Sequence, residues 1–519
     1  MTERACDAAL ALLQRGLLAE AEAACREALE ADPADFDTQA ALAGILLTAK
    51  RFAEAVPVCR RIIGAAPHNA DAWCNLALAL DALNRPFDAE RACSRAIAID
   101  PGHAAAYTNL GSALRKLDRW PEAEYAYRRA LALRPDHASH ANLAALLMES
   151  GRLQDALTLL RRASALRPGE PEILYDQALV LQEMGSLAQA ETAYRQAIHA
   201  APSFADARFN LATLLLAQGR FDEAWPLYEA RYDPRITRRN TFAPVIACPC
   251  WRGEALPGRS LLVWHEQGFG DMLQFGRFVP ELIRRGARVS LVCAPALRGL
   301  FATVEGVTVL SEAEALAMPG SFDYWTFAAS VPMHLRVTRD DISRAVWLKP
   351  EAALSEHWRW RLASLPRCRV GLVWQGNPEH PNDRHRSLPS LTALAPLWSV
   401  PGTSFVSLQK GTGEREAGHG YPVQNLGLEI RDFADSAAIL AQLDLLICVD
   451  TSVAHLAGSI GAPCWVMLPA YGEDLRWMKH QGDVSLWYPQ TRLFRQRVRG
   501  EWGELAERLR AALVEYVSP

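Results

Sequence analysis

"DLLICVDTSVAHLAGSIGAPCWVMLP", residues 444–469, decides how the second half of this chain folds. An apolar run that begins at Leu443 ends at Val449 and gives way abruptly to Asp450-Thr451-Ser452. A small-residue helical pattern carrying His455 follows, and a second apolar run, "CWVML" (464–468), closes the stretch. Strand, helix and strand in so short a span read as one unit of a parallel sheet, because strands buried on both faces are continuously apolar rather than alternating.

The same alternation extends upstream. Strand candidates are "LLVW" (261–264), "RVSLVC" (288–293), "VTVL" (307–310) and "YWTF" (324–327), then "VGLVW" (370–374), "SFVSL" (404–408), "LDLLICV" (443–449) and "CWVML" (464–468). The two series are separated by "VWLKPEAALSEHWRWRLASLPRCR" (346–369), which predicts two Rossmann-like lobes, 259–350 and 351–519, facing a cleft. Ligands of such sheets bind beyond the carboxyl ends of the strands.

Before residue 234 the pattern is different. Pro33, Pro67, Pro101, Pro135, Pro168 and Pro202 are spaced by 34, 34, 34, 33 and 34 residues, each after an Ala/Leu-rich helical stretch and before another. A helix-turn-helix unit of this period is the tetratricopeptide (TPR) repeat, which residues 1–234 resemble over about seven helix pairs. The expected architecture is a helical TPR superhelix followed by an α/β region, with 235–258 as a proline-rich linker. Asn75, Asn109, Asn142 and Asn210 share one repeat position, with Asp176 at the intervening one and Ala41 at an earlier one. A side-chain amide both donates and accepts, so this column either grips an extended peptide or bridges neighbouring repeats. It resembles the asparagine ladder of TPR-bearing protein O-GlcNAc transferases.

Bulk composition narrows the function classes. The 519 residues carry a formal net charge of −4 and no long basic block, which does not suggest a nucleic-acid partner. Eleven dispersed cysteines without a CxxC pair fit reduced thiols. Acids near the N-terminus and the lack of any apolar run near ~18 residues predict a soluble, cytoplasmic protein with no membrane span.

The residues just past each strand are the candidate site. His265, then "EQGFGD" (266–271), follows the first strand. A third glycine and a ribose-binding acid are missing, which disfavours a nicotinamide cofactor. Asp271 reads as a helix cap or as a base for an acceptor hydroxyl, and His265 could serve equally. After the fifth strand stand Gln375, Gly376 and Asn377, then a loop with Arg384, His385 and Arg386, and Gln409-Lys410 ends the sixth. Arginines at a cleft rim suit phosphate oxygens. Asp450, Thr451 and Ser452 open a helix whose free N–H groups and dipole suit an anion, with His455 on the same face.

These motifs carry a resemblance. "EQGFGD", "GNPEHPNDRHRS" (376–387), "DLLICVDTSVAHLAGSIGAPCWVMLP" and "LRWMKHQGDVSLWYPQTRLFRQ" (475–496) make residues 261 to about 500 similar to bacterial glycosyltransferases of the two-lobed GT-B type. The nearest match is the heptosyltransferase-like family that uses ADP-heptose, in its TPR-fused branch. The resemblance implies a base at Asp271, a basic residue at Arg386 (or Arg384), and donor pyrophosphate contacts at Asp450, Thr451 and His455. TPR joined to GT-B is the layout of protein O-glycosyltransferases, including bacterial enzymes that modify flagellin. The expectation is a metal-independent glycosyltransferase without a further cofactor, moving sugar from a nucleotide-sugar to Ser or Thr of a flagellin-like or other secreted or surface protein, in a cleft that closes around the donor. A client-binding adaptor with a degenerate GT-B region, and an enzyme elongating a surface glycan, are the alternatives.

Overall fold

The computed structural model describes residues 8–518 apart from 10, 13–14, 237–243, 267, 343–345, 367, 381, 419 and 478–481. It forms two compact units, Met1–Ala201 and Pro202–Pro519.

In the first unit, antiparallel helix pairs repeat, from Phe36–Thr48 and Phe52–Ala65 to Pro171–Glu183 and Leu187–Ala200, with Leu18–Ala31 packed ahead of them. The periodic prolines stand one or two residues ahead of helix caps: Asp35, Asn69 and Asp136 each accept a backbone N–H from the first turn. Packing follows the same period. Ala21, Ala55, Ala89, Ala123, Ala156 and Ala190 are all fully buried, as is Ala224 in the next unit. They recur once per repeat, on the second helix of each pair. Gly111 marks a close approach, since a Cβ there would lie 2.7 Å from the Tyr127 ring.

The turn within each pair is a left-handed cap. Lys50, Asn84, Asp118, Gly151, Gly185 and Gly219 all have positive φ, and the next N–H donates back to the helix, as Arg51 does to Leu46 O at 2.8 Å. This is the Schellman arrangement, which glycine adopts without Cβ strain. Three of the six positions carry a side chain. Lys50→Gly and Asn84→Gly should therefore each stabilise the first unit by about 0.5–1 kcal/mol, read as a higher unfolding midpoint by circular dichroism.

The second unit begins with one more helix pair, Ala205–Ala217 and Phe221–Tyr228. The boundary between units thus falls one pair earlier than the loss of period at Pro234. The reason is aromatic: Trp225 donates its indole N–H to Val337 O at 3.0 Å and meets Phe275 edge-on, anchoring the pair to the α/β region. The end of the expected linker is also structured. Trp251 N–H donates to Trp325 O at 2.7 Å, and Trp325 N–H donates to Pro249 O.

Two parallel sheets follow, the two-lobed α/β arrangement expected. The first holds β1 (Ser260–Trp264), β2 (Arg288–Val292), β3 (Val307–Leu310) and β4 (Tyr324–Phe327) in the order β3-β2-β1-β4. The second holds β5 (Arg369–Val373), β6 (Ser404–Ser407), β7 (Val423–Asn425), β8 (Leu445–Val449), β9 (Cys464–Leu468) and β10 (Thr491–Arg495) in the order β10-β9-β8-β5-β6-β7. Every strand predicted from sequence is present. Two were missed: β7, with only three residues, and β10, an edge strand whose Arg492 is exposed. Among the described residues no helix is long and apolar enough to cross a membrane.

Candidate functional site

The second sheet reverses direction at β5, which has β6 on one side and β8 on the other. A crevice outside the carboxyl ends of two such strands is where ligands of open α/β sheets sit. Here those ends carry Gln375-Gly376 and Asp450.

Asp271, from the first lobe, reaches this crevice. Its Oδ2 accepts the Gly268 N–H at 2.9 Å, the helix-capping role, while Oδ1 accepts from Arg476 Nη1 at 2.7 Å. Arg476 is fixed in turn by Asp474, which accepts from its Nε and Nη2 at 2.7 Å each. Burial would raise the Asp474 carboxyl, but the Arg476 guanidinium overrides it and holds the group well below the usual carboxylate range. Asp450, 6% exposed, is shifted the other way: burial and then the Asp474 charge raise it, against the opposing charges of Arg476 and Arg386. Arg386 is thus close enough to act on Asp450, and its Nε donates to Asp383 at 3.3 Å. Arg476 and Asp474 were not singled out from sequence, although Arg476 lies within a motif that was. The spacing Asp-x-Arg ahead of an aromatic was the available signal.

His455 differs from expectation. It is buried, its Nδ1 is 2.9 Å from Tyr488 Oη, and its ring stacks on Trp477 with centroids 5.1 Å apart. Burial, reinforced by Arg476, lowers its pKa far enough to keep the imidazole neutral, so it brings no charge to an anion. Its ring packs against Trp477 and Tyr488. A Cβ on Gly270 would lie 2.8 Å from His455 Cδ2, which explains the second glycine of "GFGD". On the other side, a Cβ on Gly458 would lie 2.1 Å from Tyr488 Cδ1. The two lobes are joined below this point by the buried bonds from Ser459 Oγ to Leu273 O at 3.1 Å and from Arg277 Nη1 to Trp487 O at 3.0 Å, and by the Trp347 N–H donating to Ser459 O at 3.0 Å.

Thr451 caps the Ser452–Ile460 helix through its backbone, and its Oγ1 is buried without a hydrogen-bond partner among the described residues. Ser452 is the first helical residue. Gln375 Nε2 donates to Leu388 O at 3.2 Å, Asn377 Oδ1 accepts the Glu379 N–H at 3.1 Å, and Arg384 Nε donates to His385 at 3.2 Å.

Three candidates lie elsewhere. Gln409 is 1% exposed and spends its amide on backbone, accepting from Trp374 and Gln375 N–H and donating to Gln375 O, Lys410 O and Thr412 O. It clamps loops and does not face a ligand. Lys410 is held by Gly427 O at 2.7 Å and Glu414 at 3.1 Å. His265 pairs with Glu312 at 2.8 Å, at the start of the helix after β3, so of the two candidate bases only Asp271 joins the arginine cluster. Glu266 is likewise internal: it accepts from Arg231 Nη2 at 3.2 Å and Tyr232 Oη at 2.5 Å.

The asparagine column splits. Asn109 Nδ2 donates to Cys74 O at 3.2 Å and contacts its Sγ, bridging neighbouring repeats. Asn75 and Asn142, half-buried, make no such bond among the described residues, and Asn210 occupies the matching place on the Ala205–Ala217 helix. Asp176 is half-buried, and burial with the nearby Glu172 pushes its pKa up to about 7.

Comparisons with known proteins agree with the repeat reading. The tetratricopeptide repeat family matches residues 6–70, 41–104, 104–137, 139–172 and 175–236. Protein FlbA of Caulobacter vibrioides is 26% identical over 441 residues, covering 73% of this chain and 72% of FlbA. A thermophilic TPR protein of Thermus thermophilus aligns at 21% identity and a TM-score of 0.33, over 35% of this chain and 100% of that one. PilF of Pseudomonas aeruginosa aligns at 20% identity and a TM-score of 0.33, over 39% and 92%. The N-terminal part of the chain is a tetratricopeptide repeat array, an architecture whose extended surface serves protein interaction.

Proposed function

We propose that this chain is a nucleotide-sugar-dependent protein O-glycosyltransferase, in which the repeat array holds the acceptor polypeptide and the α/β unit transfers the sugar. The observation that carries the reading is the convergence of Asp271, from the first lobe, with Arg476, Arg386 and the start of the Ser452–Ile460 helix at the strand-order switch point. A transferase of this class needs a base on the acceptor side and fixed positive charge on the leaving group.

In the reaction, a Ser or Thr oxygen attacks the anomeric carbon, its proton passes to Asp271, and the bond from that carbon to the phosphate oxygen breaks. The nucleotide leaves with the electron pair, its phosphate held by the arginines and the N–H groups at Thr451 and Ser452. Flagellin, or another secreted or surface protein, is the proposed acceptor. The unpaired amides of Asn75 and Asn142 support a groove for extended backbone.

The test is transfer of radiolabelled sugar to candidate acceptors from a panel of nucleotide-sugars. Asp271→Ala should lower transfer by at least ~10²-fold, the usual scale for losing a general base, with the fold intact by circular dichroism. Near-normal turnover in that variant would remove the assignment. Transfer at full rate by a chain lacking residues 1–201 would separate the array from acceptor binding.

A further inference from the structure

We infer that Arg476 restrains Asp271, and that a nucleotide diphosphate competes with Asp271 for the same guanidinium N–H. The inference rests on the donor reading above and names how that site is regulated.

The geometry is specific. Asp474 takes Nε and Nη2 of Arg476, which fixes the guanidinium plane by two parallel bonds. That leaves Nη1 as the edge turned to the other lobe, and Asp271 Oδ1 takes it at 2.7 Å. Both groups are mostly shielded, with side chains 19% and 14% exposed, so water does not dilute the pairing.

The surrounding charges make competition the natural outcome. Asp271, Asp383, Asp450 and Asp474 share Arg386 and Arg476, and the adjacent His455 is neutral and packed against Tyr488. An anion entering beside Asp450 must recruit positive charge from these two arginines. Arg386 is paired with Asp383 at 3.3 Å, and Arg476 keeps only its Nη1 edge outside the two bonds to Asp474. A diphosphate offers several oxygens to Nη1, where Asp271 offers one. Taking that N–H frees Asp271 Oδ1 to accept a proton from the acceptor hydroxyl, so the base becomes effective when the donor is in place.

Calorimetry on the full chain, with ADP, UDP, GDP and CDP as probes, tests this without any turnover. Asp271→Asn keeps an oxygen for the Gly268 N–H but removes the competing charge. It should tighten the probe that binds by about tenfold, the size of one charge-assisted hydrogen bond. Arg476→Ala should weaken binding by at least about tenfold, and Asp271→Asn should then add nothing in the double variant. Should Asp271→Asn fail to fold, Asp271→Ser supplies the same reading. Unchanged or weaker affinity in a folded Asp271 variant would overturn the restraint while leaving the donor reading in place. If no probe binds either wild type or variant, the donor reading falls and this inference with it.

Discussion

Glu266→Ala should destabilise the second unit by about 3 kcal/mol, because it leaves the Arg231 guanidinium charged inside the protein. Arg231 and Glu266 are each 3% exposed. Around them Ser330 accepts from Arg231 Nη2 at 2.9 Å, and Arg231 lies over the Tyr228 and Tyr232 rings at 4.4 and 4.1 Å. Glu229, 2.7 Å from Nη1, remains to share the charge, which keeps the loss at the lower end of the range for broken buried pairs. The diagnostic experiment is the double variant Glu266→Ala/Arg231→Met. With neither charge present no ion is stranded, so its unfolding midpoint in urea should lie above that of Glu266→Ala alone. Equal or lower stability of the double variant would mean that the pair is a net stabiliser.

Asp176→Asn should stabilise the repeat array, increasingly so as pH rises. The Asp176 carboxyl sits at about 7 in the fold against an ordinary 3.8. A raised carboxyl favours the protonated folded state, so its stability contribution is full below pH 3.8, falls as pH rises from there, and levels off above about 7. The loss is roughly 2–4 kcal/mol, from 1.36 kcal/mol per unit reduced for partial solvent screening. Asparagine, which the neighbouring repeats carry at this position, has no proton to lose. The variant should melt with wild type near pH 4 and well above it at pH 8. A gain that does not depend on pH would place the effect outside Asp176 ionisation.

Hydrophobic run length made the strands readable, since parallel strands buried on both faces must be apolar throughout, as "LLICV" and "CWVML" are. β10 escaped because the exposed Arg492 and the half-buried Arg495 leave only Leu493-Phe494 as an apolar run. The repeat count was readable because a proline recurs every 33 or 34 residues between the helix pairs, from Pro33 to Pro202. Pairings were not. Asp271 meets Arg476 across 205 positions, a contact set by how two lobes pack rather than by any local pattern. His455 was correctly set on the face of Thr451 and Ser452. Its neutral, stacked state depends on Trp477 and Tyr488, which come from a later loop. Gln409 shows the same limit: an amide after a strand reads as a ligand contact until its backbone partners are seen.

The bonds of Leu273 and Trp347 to Ser459, and of Arg277 to Trp487, have a mechanical consequence. A cleft that worked by swinging its lobes apart would have to strip buried donors and acceptors at every cycle, at about 1–3 kcal/mol for each group left unpaired. Gly270 would also have to leave the His455 ring. The base of the cleft therefore behaves as a rivet. Amides of the Phe269–Phe275 helix should accordingly exchange with solvent as slowly as those of β8, whatever the site is doing.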